Sequence, residues 1–214
     1  MSDRYILLTA SLPNAETAAV TAMLTDLVAD LRLANLTWTH PTHRTVTRLT
    51  TAGDAVVTDL PELARLVGLE GVATFQVWFG AGADVVCEVR VDEPRGLWTE
   101  RYYFARPDDD ETRRLVAAFA RRVRRMRSAG VLQLGVVDLE GTTAEHNWPA
   151  VAASQRPVQI PPGATFVVIP ADRAVVDHVP PGYDAHETGP LRAFAARATA
   201  MRWRQALDDV RGAD

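Results

Sequence analysis

Val72-Ala73-Thr74-Phe75-Gln76-Val77-Trp78-Phe79, Asp84-Val85-Val86-Cys87-Glu88-Val89-Arg90-Val91 and Leu97-Trp98-Thr99-Glu100-Arg101-Tyr102-Tyr103-Phe104-Ala105 follow one another along the chain. Gly80-Ala81-Gly82 and Asp92-Glu93-Pro94-Arg95-Gly96 are the turns between them. Runs rich in β-branched and aromatic residues, joined by turns this short, predict an antiparallel meander. Side chains alternate across a strand, so Phe75, Val77 and Phe79 share one face and Thr74, Gln76 and Trp78 the other. In the second run Val85, Cys87, Val89 and Val91 oppose Val86, Glu88 and Arg90. One face is apolar and the other mixed. The third run contributes to the mixed face either Trp98, Glu100 and Tyr102 or Thr99, Arg101 and Tyr103.

Working outward, Asp108 to Glu111 place acidic side chains where a helix begins, and Gly130 ends the helix after Ser128. Leu115, Phe119, Val123 and Met126 form its apolar stripe, and seven arginines crowd the remainder. Val131 to Leu139 reads as a buried strand. Towards the N-terminus, Tyr5 to Ala10 is a short strand. Asn14 then caps a helix whose stripe is Val20, Met23, Leu24, Leu27, Val28 and Leu31. Residues 36 to 50 read as two short strands around Pro41, and Asp59-Leu60-Pro61 opens a helix ending at Gly68. Glu140 to Gly163 is an irregular stretch with a short helix from Pro149 to Ser154. Ala164 to Ile169 is a last strand, Val179 to Pro190 a loop, and Leu191, Phe194, Ala198 and Met201 mark a terminal helix.

This order predicts an α+β fold, a mostly antiparallel sheet with helices packed on one face, with an elaborated ferredoxin-like core as the preferred version. A βαβ crossover would add the 131 to 139 strand as a parallel pair. One domain over 1–214 is expected, with a core of 1–139 and an elaboration of 140–214.

Composition narrows the function classes. All 23 basic residues are arginine, yet the net charge is −4, which disfavours a nucleic-acid binder. Arginine, alanine, valine and aspartate rise together, as in the coding of a GC-rich bacterium or phage. The single cysteine, Cys87, excludes an internal disulfide and points to a reducing, cytoplasmic setting. No window reaches the ~18 apolar residues of a membrane span.

Two H-x-T triplets stand out: His43-Arg44-Thr45 and His186-Glu187-Thr188. Preceded by a strand, a helix and Leu36-Thr37-Trp38-Thr39-His40-Pro41, the first triplet resembles the two-histidine phosphoesterases, over about the first fifty residues. The resemblance implies His43 and His186 as general base and acid, with Thr45 and Thr188 holding a phosphate. The second triplet departs from the pattern, lying 143 residues later in an expected loop.

The histidines match no metal-ligand spacing, and no metal or cofactor is expected. Two binding surfaces are candidates: the arginine-rich helix through Arg121, Arg124 and Arg125, and the mixed sheet face through Gln76, Trp78, Arg90 and Tyr102. Trp and Arg side chains are frequent interface anchors. The sequence thus predicts a non-enzymatic, cytosolic protein-binding protein, immunity-like, antitoxin-like or assembly-like. Its expected partner is a protein, an acidic one if the arginines make the contact, with no membrane role. The alternative is a small phosphoesterase using His43 and Thr45.

Overall fold

The computed structural model describes residues 4–12, 16–79, 84–105, 108–143, 145–154, 156–173, 181–188, 190–197 and 205. The strands are β1 (Tyr5–Ser11), β2 (Val46–Leu49), β3 (Ala55–Thr58), β4 (Val72–Trp78), β5 (Asp84–Asp92), β6 (Leu97–Tyr103), β7 (Leu132–Asp138), β8 (Phe166–Pro170), β9 (Tyr183–Thr188) and β10 (Leu191–Ala196). The helices are α1 (Thr17–Leu33), α2 (Leu60–Glu70), α3 (Asp109–Ser128) and α4 (Trp148–Ala153).

All ten strands join one sheet in the order β3-β2-β4-β5-β6-β1-β7-β8-β10-β9, and every pairing is antiparallel. The fold is therefore α+β, as predicted. The meander holds: β4 pairs with β5 and β5 with β6 in unbroken register, Phe75 opposite Cys87 and Cys87 opposite Tyr102. The expected parallel pair does not form. The α3 crossover carries the chain from β6 to β7 over β1, which lies between them, so both pair antiparallel with β1. The sheet has ten antiparallel strands with four helices packed against it among the described residues, and the ferredoxin-like version of the fold is not established.

Local chemistry sets the helix ends. Asp108 accepts from the backbone N–H of Asp110 and Glu111, while Glu111 reaches back to the Asp108 N–H, a complete capping box at the start of α3. Asp59 caps α2 by accepting from Glu62 N at 2.8 Å. That helix runs through Gly68 and ends at Gly71, whose φ of 72° is the left-handed conformation that glycine takes without cost. Glu16 precedes α1, and Asn14 lies outside the described residues.

Two cores sandwich the sheet. On one face α1, α2 and α3 cover Ile6, Leu8, Phe75, Val77, Val85, Cys87, Val89, Trp98 and Phe166. Gly135 belongs to this layer: a Cβ there would stand 2.7 Å from Val168 Cγ1 and 3.1 Å from Phe119 Cζ. On the opposite face α4 and the 140–163 segment bury Tyr5, Leu7, Leu97, Leu134, Val136 and Val167 beneath Trp148, Val158 and Ile160. The helices are thus not confined to one face. Arg173 ties down this second layer by donating to the carbonyls of Gln133, Val151, Ala152 and Ser154, which satisfies the C-terminal end of α4.

Three further expectations change. Only β2 forms within residues 36–50, the rest making isolated bridges from Thr37 to Trp78 and from Thr39 to Val46. Residues 183–188 are strand β9 rather than loop, and 191–196 are strand β10 rather than helix. Ala198 and Met201 lie outside the described residues. No described helix is long and apolar enough to cross a membrane.

Candidate binding face

The arginine-rich helix is less free than its sequence suggests. Arg122 is 1% exposed and lies between two carboxylates. Its Nε donates to Glu100 Oε2 at 3.0 Å, its Nη2 to Glu100 Oε1, and its Nη1 to Asp30 Oδ2 at 3.1 Å. Trp98 Nε1 and the Tyr102 hydroxyl complete the Glu100 carboxylate, each at 2.8 Å. Burial opposes the charge on Arg122, and Glu100 outweighs it, so the guanidinium is held above its ordinary pKa. Arg125, one of the candidate binding residues, donates to Asp30 through Nε and Nη2 at 2.7 and 2.8 Å and reaches Asp26 at 3.3 Å. Arg121 and Arg124 are half-buried, Arg124 with a partner of its own and Arg121 with its Nε buried and unpaired. Arg114 is stapled to Asp110 at 2.6 Å and to the Phe79 carbonyl at 2.7 Å.

The mixed sheet face is set by register. Glu88 lies opposite Arg101 and Val86 opposite Tyr103, so the third strand supplies Thr99, Arg101 and Tyr103 to it. Tyr102 is corrected to the helix side: it is 5% exposed, its hydroxyl is spent on Glu100, and burial raises its pKa well above the usual value. Gln76, Trp78, Val86, Glu88, Arg101 and Tyr103 are half-buried and Arg90 is exposed. Arg90 sits 3.7 Å from Glu88, with side chains 56% and 25% exposed.

The second layer stops at a seam. Trp148 Nε1 donates to the Tyr5 hydroxyl at 2.8 Å, Tyr5 bonds Thr143, and Thr143 bonds the fully buried Asp138. That chain locks the 139–148 turn over β1 and β7, and burial raises the Tyr5 pKa. Arg101 borders it, its guanidinium carbon 5.6 Å from the Tyr5 ring and 5.8 Å from the Tyr103 ring. Beyond Arg101, towards β4 and β5, none of the helices described covers this face.

The two H-x-T triplets are not brought together. His43 lies on a turn beside β2 and is exposed, whereas His186 lies on β9. Those strands stand second and last in the sheet order, eight spacings of ~4.8 Å apart, on the order of 35–40 Å. No single phosphate spans that gap. His40 Nδ1 instead accepts from the backbone N–H of Thr42 and His43, and its ring stacks on His43 and meets Trp78 edge-on, both at 4.6 Å. His43 therefore stands at a corner of the open face, with Thr45 beside it and its carbonyl accepting from His40 N. Thr188 is the last position of β9.

Among the described residues no three His, Cys, Asp or Glu side chains group as metal ligands. Comparison with protein-family models, curated proteins and solved structures found no match to this chain.

Proposed function

We propose that this protein is a binding protein that docks a protein partner on the open half of its sheet, across β4, β5 and β6. The observation that supports this reading is the unequal cover of one sheet face. α4 and Trp148 cover β7 and the flanking part of β6, Leu97 and Tyr103 included, while Gln76, Trp78, Val86, Glu88 and Arg90 are covered by none of the helices described and Arg101 stands at the border. Trp and Arg are among the side chains that supply most binding energy at protein interfaces. A cytosolic immunity-like, antitoxin-like or assembly-like role is the class of function this fits.

The test is site-specific photo-cross-linking in the native host, with the reactive side chain at Gln76 or Glu88 and, as control, at Arg32 on α1. One discrete protein adduct from positions 76 and 88, absent from position 32, is expected. Equal or no adducts from all three, or hydrolysis of a phosphodiester panel that disappears in His43→Ala, would overturn the proposal.

A further inference from the structure

The two outer strands of the sheet differ in chemistry. At one end β9 carries Asp184 and Glu187, paired with Arg197 and Arg192, and charges of this kind protect an edge from an added strand. At the other end β3 is Ala55-Val56-Val57-Thr58, with no charge and no proline, and Val56 and Val57 are 36% and 68% exposed. Among the described residues no strand pairs with its outer side.

The hairpin before β3 sets the direction of its backbone groups. Thr50 N donates to Asp54 O at 2.9 Å, in the register that places Arg48 opposite Val56 and Val46 opposite Thr58. Hydrogen-bonded pairs alternate along an antiparallel ladder, so β2 bonds to Val56 and Thr58. Ala55 and Val57 therefore turn their N–H and C=O outward, to the open edge.

We propose that β3 is a self-association edge, through which two copies of this chain pair β3 to β3, antiparallel about a two-fold axis at Val56, and double the ten-stranded sheet.

Three observations favour a second copy over a strand of another protein. With Val56 opposite Val56 of the second copy, Ala55 faces Val57 and Val57 faces Ala55, so the outward N–H and C=O groups of β3 complement themselves. Apolar side chains also meet on both sides of the sheet, Val56 against its twin and Val57 against Ala55. Finally, the charges beside the edge fit the same axis. Arg48 and Asp54 share the helix side with Val56. Strand spacings of ~4.8 Å and rises of ~3.3 Å put each Arg48 about 12 Å from the Asp54 of the other copy, while like charges stay about 14 Å apart.

An edge of 4 residues buries far less than the ~800 Å² per partner of a stable interface, so the dimer is weak and reversible. Val57 shares a side with Thr47 and Leu49, and through them with Thr74, Gln76 and Trp78. The axis stands perpendicular to the sheet, so the two open faces come to lie side by side. The inference goes beyond the docking reading and does not depend on it.

Sedimentation of the full chain between ~1 μM and ~1 mM should show the mass rising from one chain towards two, with a Kd on the order of 0.01–1 mM. Val57→Pro removes an outward N–H and leaves the ladder to β2 whole. Val56→Lys sets two ammonium groups directly opposite each other. Each should weaken association at least tenfold with far-UV circular dichroism unchanged, and if one variant unfolds the other decides. Val56→Cys should form an interchain disulfide under mild oxidation, because residues facing each other in a non-hydrogen-bonded pair lie about 4.5 Å apart, within disulfide range. Leu69→Cys, at a position 72% exposed on α2, should link at least tenfold more slowly, and the native Cys87 is buried. A chain that stays single up to ~1 mM overturns the inference. So does association that survives either folded variant, or a Val56→Cys that links no faster than Leu69→Cys. Photo-cross-linking at positions 76 and 88 reads the docking face separately, so either reading can fail alone.

Discussion

Replacing Arg122 by methionine removes one charge from a site that holds two carboxylates, and the loss can be sized from the contacts. Arg122 makes two bonds to Glu100 and one to Asp30, with all three side chains 3% exposed or less. Three charge-assisted bonds at about 1.5–3 kcal/mol each would give about 4.5–9 kcal/mol, comparable to the whole stability of a marginal domain. Arg122 also regains its own hydration on unfolding, so the net is smaller. Removing one partner of a buried pair costs about 3–5 kcal/mol, and Asp30 keeps its fork to Arg125. Glu100 is the group stranded. The expected outcome is therefore a loss of about 3–5 kcal/mol in urea unfolding, or roughly 6–20 °C in Tm for a chain of this size. The double variant Glu100→Gln, Arg122→Met should recover at least half of it, since no uncompensated charge then remains at the Trp98 and Tyr102 site. A single variant within about 1 kcal/mol of the parent would refute the buried network, because surface ion pairs lose no more than that.

Cys87 is fully buried and its thiol pKa is pushed well up by burial. An aromatic disulfide reagent should therefore find no reactive thiol in native protein and one after denaturation. His146 meets the Trp148 ring edge-on at 4.3 Å, its Nε2 is buried without a partner, and burial lowers its pKa below 6.5. The unfolded chain then binds the proton more tightly, so this residue's contribution is full above pH 6.5 and fades as pH falls through the lowered value. His146→Gln should flatten that part of a stability profile measured between pH 7.5 and 5. Asp108→Ala breaks the capping box of α3 and should cost about 0.5–2 kcal/mol in the same unfolding assay.

Much of the fold is legible where signals are local. The alternation of Phe75, Val77, Val85, Cys87 and Val89 marks one buried face, and Asp108 with Glu111 marks a helix start. Strand β10 is hidden by burial on both sides. Leu191, Ala193 and Ala195 face the main core while Phe194 enters the second, so period two disappears and the three-residue spacing of Leu191 and Phe194 imitates a helix. The ion network left a trace, because Asp30 follows Leu27, and Arg122 follows Phe119, at stripe spacing. Its pairing spans 92 residues, however, and local pattern cannot join such partners. The choice between Tyr102 and Tyr103 for the mixed face hung on a one-residue register, which the pairing of Cys87 with Tyr102 settles.

The central claim, that the open half of the sheet is a docking surface, is tested most directly by calorimetric affinity for the cross-linked partner. Three chains are compared: the unmodified one, Trp78→Ala with Arg101→Gln on the sheet face, and Arg65→Gln with Arg113→Gln on α2 and α3. The account predicts at least a tenfold loss for the sheet-face pair, about 1.4 kcal/mol, and a change below about twofold for the helix pair. The reverse order, or equal affinity for all three, would contradict it.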